Sequence, residues 1–334
     1  MNRATAAGPA AEPVPAGRVD GDLRTRGVWI ALGLVVLFAS LRYDNFLGAY
    51  NIQTFLGYNS MFVLIALGMA FVIMTGGIDL SVGSVVALAS VTAAYASPHG
   101  IEVALPLGVL AGVGVGALNA WLVCRLRIVP FIATLATMLG ARGLALTVAD
   151  NQSVDVDWGS NFTALGLQKA FGVVPWPVVI TAAVFLLAWL ALERLAFGRR
   201  VLAVGGNAEA ARLMGIPVAR TVASVYVISG ALAGLAGVFL ASGYGAGQPL
   251  EGLGWELSAI ASVVVGGTLL TGGLGSIPAT LAGALLLGLV FNVLNFENGL
   301  GVVSLSAYWQ SVVRGGFLLL VIVLQSRALR RVRG

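Results

Sequence analysis

The chain has 334 residues, of which 58% are hydrophobic and 10% are charged, and its mean hydropathy is +0.95. Soluble domains carry about a quarter charged residues, so this composition excludes an ordinary soluble domain and predicts a membrane protein. The single cysteine, Cys124, excludes an intrachain disulfide, and the single histidine, His99, excludes a histidine-rich metal site. Lys169 is the only lysine and lies outside any phosphate-binding motif, so the chain carries no Walker-type ATPase site.

Apolar runs alternate with short polar connections along most of the chain. Residues 1–26 are polar, lack an apolar segment and are predicted to be a disordered cytoplasmic tail rather than a signal peptide. A run of about 20 apolar residues is long enough to cross a bilayer. Ten such runs predict ten transmembrane helices, near 28–43, 55–75, 80–97, 103–123, 129–149, 172–192, 221–241, 257–273, 276–294 and 309–326.

The basic residues test this count. Most of the 19 basic residues fall in four clusters, at 3–26, 125–127, 194–220 and 327–333. With ten spans, all four clusters lie on one side of the membrane, as the positive-inside rule requires of a cytoplasmic side. Both termini, including a basic tail at 327–334, are therefore predicted to be cytoplasmic. Because the arginines lie at the ends of apolar runs, membrane topology explains the high isoelectric point better than nucleic-acid binding does.

Glycine is frequent within the spans, as in "GVLAGVGVGALNA" at 108–120. Helices in lipid pack closely where small residues let their backbones approach. Most of these glycines are therefore predicted to serve helix packing.

The stretch "MTGGIDLSVGS" at 74–84 interrupts an apolar region with a carboxylate. Gly76 and Gly77 are predicted to end the second span, and Asp79 and Ser81 to cap the N-terminus of the third. A backbone break at membrane depth is also tolerated where it lines a watery cavity, so the turn could line a substrate path or a partner interface. A third alternative makes Asp79 a protonatable coupling carboxylate.

A similar break recurs in "VVVGGTLLTGGLGSIPATLAG" at 263–283, where T-G-G is followed by Ser276 and Pro278. Transporters often contain internal repeats with glycine- or proline-interrupted helices in corresponding places. The span count places both breaks on the cytoplasmic side.

The longest predicted cytoplasmic connection, 194–220, contains the segment "NAEAARLMGI" at 207–216. Asn207 is a suitable N-cap, Glu209 falls in the first turn, and Gly215 ends the pattern, so the segment predicts a short helix. Ala210, Leu213 and Met214 form its apolar face. Such a helix either lies on the membrane surface or docks in a groove on a soluble partner.

Three stretches together, "TGGIDLSVGS", "VGGNAEAARLMGI" and "VVVGGTLLTGGLGS", resemble the permease subunits of bacterial ABC importers for simple sugars of the ribose type, over residues 50 to 325. The segment 295–325 is most similar to the galactofuranose-type branch. "EAARLMG" at 209–215 resembles the core of the coupling loop of ABC import permeases, although Ile216 and Pro217 follow its glycine at once. The residues that the resemblance assigns to ATPase coupling are Gly205, Gly206, Asn207, Glu209, Ala210, Ala211 and Gly215.

The resemblance implies an all-α fold, with a transmembrane permease domain over 27–326 and a coupling loop at 194–220. It implies a bacterial plasma membrane location, no cofactor, and a pore formed by two permease chains, identical or homologous. Its further implied partners are a separate ABC ATPase, which hydrolyses ATP, and an extracytoplasmic sugar-binding protein.

Polar groups inside the bilayer usually face the bundle interior or a cavity, and they are candidates for the translocation pathway. These candidates are Gly76, Gly77, Asp79, Ser81, Asn119, Asn292, Asn295, Gln310 and Arg314. Plain hydrogen bonding between helices is the alternative for each asparagine, and hydrogen bonding to backbone carbonyls is the alternative for Arg314 and for Arg142. Trp255 and Trp309 are predicted to be interfacial anchors.

Two other classes of transporter remain open. An ion-coupled secondary transporter or channel requires intramembrane carboxylates, and Asp79 is the only one that the predicted spans provide. An ABC permease for branched-chain amino acids or nucleosides is the other alternative, although "TGGIDLSVGS" favours sugars. No motif of an intramembrane enzyme is present.

Overall fold

The computed structural model describes residues 21–300 and, beyond them, Trp309, Val312, Gly315, Gly316 and Leu319. Most of the predicted N-terminal tail, most of the tenth span, the basic tail, Gln310 and Arg314 lie outside the described residues. The described part is built almost entirely of α-helices, which confirms the predicted all-α class.

The helices follow one another with short connections. Their bounds are α1 (Gly21–Arg42), α2 (Ala49–Met74), α3 (Val82–Ala96), α4 (Ile101–Cys124), α5 (Pro130–Val148), α6 (Ala164–Leu167), α7 (Trp176–Glu193), α8 (Ala196–Gly206), α9 (Ala208–Leu213), α10 (Val218–Tyr244), α11 (Trp255–Val265) and α12 (Ile277–Leu300). A 3-10 turn at Ser97–His99 joins α3 to α4.

Four two-residue strands form two small antiparallel pairs. β1 (Val154–Asp155) pairs with β4 (Ala246–Gly247), so that the connection after α5 is tied to the end of α10. β2 (Lys169–Ala170) pairs with β3 (Val174–Pro175) within the connection between α5 and α7.

Within the described residues, six helices are long and apolar enough to cross a membrane. They are Ala49–Met74, Ile101–Cys124, Pro130–Val148, Trp176–Glu193, Val218–Tyr244 and Ile277–Asn298. The predicted spans that correspond to α1, α3 and α11 are also helical, and α3 and α11 are short, with 15 and 11 residues.

Helix α10 lies at the centre of the bundle and packs against α2, α3 and α4. Its contact with α4 depends on glycine at both partners. A Cβ atom added to Gly112 of α4 would overlap the carbonyl oxygen of Gly230, and one added to Gly230 would overlap the carbonyl oxygen of Gly112. The predicted role of the 108–120 glycines in helix packing is thus confirmed at this contact.

The bundle has two distinct sides. Helices α8 and α9, the end of α2 and the start of α12 lie together on one side, which we call the α9 side. The two strand pairs and the connection between α5 and α7 lie on the opposite side, which we call the far side.

The helical spans differ from prediction around α11. The helix ends at Val265 and not near residue 273, because the backbone leaves the helical conformation at Gly267, which has a φ of +86°. Gly266, at the C-cap, packs so closely against the carbonyl oxygen of Ala279 that a Cβ atom has no room. Trp255 is not an interfacial anchor, since it is buried at the start of α11 and its ring packs against Phe62, with 4.5 Å between centroids.

Candidate functional site

The two glycine-containing breaks meet on the α9 side. The backbone N–H of Gly273 donates to the carbonyl oxygen of Met74, with an N–O distance of 3.0 Å. A Cβ atom added to Gly272 would lie 2.8 Å from the backbone nitrogen of Gly76, and both residues have positive φ, +83° and +82°. The two breaks therefore lie together on one side of the bundle, and the prediction that this side is cytoplasmic stays a prediction.

The end of α8 packs onto this same point. A Cβ atom added to Gly205 would overlap the carbonyl oxygen of Met74 and would lie 2.5 Å from the backbone nitrogen of Gly273. Gly206, the next residue, has open space where its Cβ would be. We call the contact between Met74, Gly76, Gly205, Gly272 and Gly273 the glycine junction.

Helix α9 begins directly after the glycine junction. Asn207 accepts a hydrogen bond from the backbone N–H of Ala210 through Oδ1 at 2.9 Å, and Glu209 lies in the first turn. Gly215 follows the helix with a φ of +79°. The predicted N-cap, the acidic first turn and the termination by Gly215 are all confirmed.

The orientation of α9 leaves its predicted apolar face open. Ala211 is fully buried toward the bundle, whereas Leu213 and Met214 are 84% and 68% exposed. Ala210 and Arg212 are exposed as well. The described chain therefore buries α9 through one small residue and presents two large apolar side chains outward.

Asp79 is almost completely buried and accepts hydrogen bonds from neutral donors. Its Oδ1 accepts from the backbone N–H and the hydroxyl of Ser81, at 3.0 Å and 2.6 Å. Its Oδ2 accepts from the hydroxyl of Ser229 in α10 at 2.8 Å. Ser229 lies near the middle of α10, so the carboxylate is held well inside the bundle.

Two further helices extend this network. Nδ2 of Asn119, in α4, donates to the hydroxyl of Ser81 at 2.9 Å and approaches Oδ1 of Asp79 at 3.5 Å. The hydroxyl of Thr137, in α5, donates to Oδ1 of Asn119 at 2.6 Å. Together these side chains form a buried polar network that joins the first break to α4, α5 and α10.

The predicted capping role of Asp79 and Ser81 is wrong. Ser81 takes the N-cap position of α3, but its side chain makes no capping hydrogen bond, because its hydroxyl oxygen accepts from Nδ2 of Asn119 and its O–H donates to Asp79. Asp79 accepts from Ser81 two residues on, which closes a local turn, but its other oxygen is committed to Ser229.

Sequence reasoning missed three members of this region. Ser229 and Thr137 stand in apolar helices, where a hydroxyl residue gives no local signal. The third, Tyr226, is fully buried, and its hydroxyl oxygen lies 2.6 Å from where a Cβ of Gly77 would stand. Among the described residues this hydroxyl has no hydrogen-bond partner.

The candidates in α12 lie elsewhere. Asn292 exchanges two hydrogen bonds with Asn51 of α2, at 3.2 Å and 2.9 Å, which is the helix-to-helix alternative named for it. Asn295 has an exposed side chain. Neither residue approaches the Asp79 network through a hydrogen bond within the described part of the chain.

Arg142 is held by backbone carbonyls, as the alternative for it predicted. Its Nη1 donates to the carbonyl oxygens of Pro249 and Glu251, each at 2.6 Å. It also interacts electrostatically with the carboxylates of Glu251 and Glu256. Glu256 is partly buried at the start of α11 and lies against Gly83 of α3, so a second carboxylate besides Asp79 packs against the bundle.

Residues 21–300 contain no group of three or more His, Cys, Asp or Glu side chains placed to hold a metal ion. In this part of the chain the buried polar side chains form hydrogen-bond networks, and no hydrogen bond between described residues pairs a nucleophile with a histidine base.

Comparison of the sequence with known protein families identifies the family to which the chain belongs. Residues 51–322 match the family described as branched-chain amino acid transport system / permease component. The chain belongs to this family, and it is a multi-pass membrane permease component.

The names of similar proteins are more specific than the family description. The chain is 37% identical to the ribose import permease protein RbsC of Bacillus subtilis, over 92% of this chain and 94% of that protein. It is 38% identical to the L-arabinose transport system permease protein AraH of Escherichia coli, over 89% and 90%. It is 37% identical to the D-allose transport system permease protein AlsC of Escherichia coli, over 89% and 90%. No solved structure matches the chain.

Proposed function

We propose that this chain is the permease subunit of an ATP-driven ABC importer and that it forms the translocation pathway for a monosaccharide. The observation that carries the proposal is the exposed face of α9, which stands directly on the glycine junction. The relatives' names, which specify ribose, arabinose and allose, support a monosaccharide as substrate. Their names also weigh against the branched-chain amino acid alternative that the family description suggests.

The distribution of arginine supports a cytoplasmic α9 side. Arg199, Arg200 and Arg212, on α8 and α9, are exposed there, and Arg125 and Arg127 follow the end of α4 on the same side. Positive charge concentrates on the cytoplasmic side of membrane proteins. Both chain termini are then cytoplasmic, in a bacterial plasma membrane.

An ATPase subunit is the proposed occupant of the exposed α9 face. Leu213 and Met214 supply the apolar contact, and Glu209 supplies a charge next to it. An amphipathic helix that docks in a groove uses this combination of apolar anchors and flanking charge. The coupling residues of the proposal are Gly205, Gly206, Asn207, Glu209, Ala210, Ala211 and Gly215. Gly206 takes part through its backbone alone, because the space at its Cβ position is open.

Two further partners complete the proposal. A second permease chain, a copy or a homologue, forms the other half of the pore. A sugar-binding protein docks at the far side, where Phe171 and Trp158 are 95% and 63% exposed. Exposed aromatic side chains of this size are typical of interaction surfaces.

Uptake measurements test the proposal. The chain is coexpressed with its ATPase and binding protein in cells that lack their own pentose and hexose importers, and uptake of labelled D-ribose, L-arabinose and D-allose is measured. We expect uptake of at least one sugar, and we expect Glu209→Arg to abolish it while membrane insertion is unchanged. Glu193→Arg is the matched control, because Glu193 is exposed on the same side but ends α7. Normal uptake by Glu209→Arg would remove the coupling assignment.

An ion-coupled transporter is the second candidate, and the buried carboxylate of Asp79 is the observation that favours it. A proton ionophore distinguishes the two. An ATP-driven importer continues to take up sugar after the ionophore is added, provided that ATP is maintained, whereas an ion-coupled transporter stops. Labelled leucine, measured in the same cells, tests the amino acid alternative.

A further inference from the structure

The connection between α10 and α11 descends into the bundle. A Cβ atom added to Gly247 would lie 2.8 Å from Cβ of Ala94, near the end of α3, and one added to Gly252 would overlap the carbonyl oxygen of Gly83, near its start. Eleven residues of helix separate Ala94 from Gly83, which corresponds to about 16 Å along α3. We call residues 247–254 the re-entrant stretch.

The backbone of the re-entrant stretch is held by side chains from its surroundings. Arg142, in α5, donates to the carbonyl oxygens of Pro249 and Glu251, both at 2.6 Å. The hydroxyl of Ser90, in α3, accepts from the backbone N–H of Gln248 at 3.0 Å. Non-helical backbone at membrane depth is tolerated only where protein buries it or where it lines a water-filled cavity.

The outward side of the stretch carries charged side chains, which argues against contact with lipid. Glu251 has an exposed side chain, and Glu256, two residues past the stretch, is partly exposed. A carboxylate in contact with hydrocarbon is costly, and intramembrane acidic residues face the bundle interior or an aqueous cavity. Leu250, next to Glu251, is 57% exposed, and Leu253, between the two glutamates in sequence, is 67% exposed. The surface therefore alternates polar and apolar groups.

We propose that the exposed side of the re-entrant stretch lines the sugar pathway and that Glu251 contacts the sugar's hydroxyl groups; this inference rests on the proposed function. Sugar hydroxyls donate hydrogen bonds to carboxylates, and the flanking leucines contact the C–H faces of the ring. Arg142 is a positioning residue, because its Nη1 is occupied by backbone carbonyls and fixes the stretch.

The charges of this surface define the class of substrate. Two carboxylates, Glu251 and Glu256, lie at the stretch. Arg142, which approaches both, is partly buried and bonded to the backbone. Anionic ligands such as sugar phosphates and sugar acids are repelled by such a surface. The proposal therefore predicts that the pathway favours neutral, unphosphorylated sugars.

Cysteine accessibility tests the position of the stretch. Cys124 is replaced by serine, and a single cysteine is introduced by Leu253→Cys in the complete complex. Leu187→Cys is the matched control, since Leu187 is 66% exposed on α7 and lies eleven residues from the start of that helix. The probe is a membrane-impermeant sulfonated methanethiosulfonate, which hydrocarbon excludes.

We expect the Leu253→Cys chain to react about tenfold faster or more than the Leu187→Cys chain, because an anionic reagent reaches only water-filled space. Equal, slow reaction of both chains would show that the stretch faces lipid and would overturn the proposal. Absent reaction together with a disulfide between two Leu253→Cys chains would place the stretch in a sealed interface and would also overturn it.

Transport kinetics test the sugar contact. We expect Glu251→Gln to raise KM for the transported sugar about tenfold with little change in kcat, as expected for a lost charge-assisted hydrogen bond. Arg142→Lys should also raise KM, since lysine keeps the charge but loses the two-carbonyl contact, whereas a purely structural role would lower only the amount of complex. An unchanged KM in Glu251→Gln would contradict the contact. If the unsubstituted complex takes up none of the three sugars, the proposed function fails, and cysteine accessibility still decides whether the stretch lines an aqueous path.

Discussion

The backbone amide of Gly273 donates a hydrogen bond to the carbonyl oxygen of Met74 at 3.0 Å. Met74 is the last residue of α2, and Gly273 lies between α11 and α12, so the contact joins the two breaks in the bundle. Gly205 packs over the same carbonyl, two residues before the N-cap of α9. Because close-packed contacts transmit displacement rather than absorb it, we expect a movement of α9 to reach both breaks.

This arrangement predicts different effects for two adjacent glycines. Gly205→Ala would place a methyl group onto the carbonyl oxygen of Met74, whereas Gly206→Ala meets open space. We expect Gly205→Ala to abolish sugar uptake and to lower the thermal stability of the purified chain. Overpacking of this kind costs about 1–3 kcal/mol.

Gly206→Ala should have nearly normal uptake, because alanine favours the helix and contacts nothing there. Equal uptake by the two variants would contradict the role of the glycine junction. If the Gly205→Ala chain still binds the ATPase, its loss of uptake would come from lost transmission of movement through the glycine junction and not from lost docking of the ATPase.

A second pair of glycines tests the packing of the bundle itself. Gly112→Ala in α4 would overlap the carbonyl oxygen of Gly230 in α10, while Gly114→Ala has open space. We expect Gly112→Ala to destabilise the chain by about 1–3 kcal/mol. Gly114→Ala should leave stability unchanged or slightly higher. The midpoint of thermal unfolding in mild detergent measures the difference, and similar midpoints for the two variants would show that α4 and α10 are not in contact at Gly112.

The N-cap of α9 gives a smaller and more local effect. Asn207→Ala removes the hydrogen bond to the backbone N–H of Ala210, which is worth about 1 kcal/mol at a helix N-terminus. We expect weaker association with the ATPase and an unchanged unfolding midpoint of the bundle. Asn207→Asp keeps the acceptor and should restore association, measured by titration of the purified ATPase. Failure of Asn207→Asp to restore it would point to a direct contact of the amide and not to capping.

Two substitutions of Asp79 distinguish a structural role of its carboxylate from a role in ion coupling. Asp79→Leu leaves the donors of Ser81 and Ser229 without an acceptor in a buried site, and an unsatisfied buried group costs about 1–3 kcal/mol. Asp79→Asn keeps one oxygen, and the serine hydroxyls can rotate to accept from its amide.

We therefore expect Asp79→Leu to lower the unfolding midpoint and Asp79→Asn to fold and to transport sugar at a substantial rate. Asparagine cannot bind and release a proton at neutral pH. A folded Asp79→Asn chain with no uptake would support ion coupling through this residue.

The positions of the helix breaks can be predicted from the sequence, because glycine affects the backbone conformation at its own position. Gly76 and Gly272 interrupt apolar runs visibly, and the N-cap at Asn207 is recognisable from its own helix. The contact of these segments is not predictable in the same way, since almost 200 residues separate Gly76 from Gly272 and only tertiary packing brings them together.

The depth of a polar segment is likewise invisible in the sequence. Residues 247–254 are rich in glycine and interrupted by Pro249, a composition typical of surface loops, and only the contacts with Gly83 and Ala94 place them along α3. For the same reason Asp79 looked like a cap, although its second oxygen bonds to Ser229 of a distant helix.

The central claim is that this chain works as the permease of an ABC importer. It is tested most directly by identifying the proteins that copurify with the chain and measuring their stoichiometry. The tagged chain is purified by affinity in mild detergent, and the proteins that accompany it are identified and quantified by mass spectrometry. We predict an ABC-type ATPase subunit in near-equal amount, and its loss when Glu209→Arg replaces the wild-type chain. A chain that purifies alone, in several detergents and with an ATP analogue present, would contradict the claim.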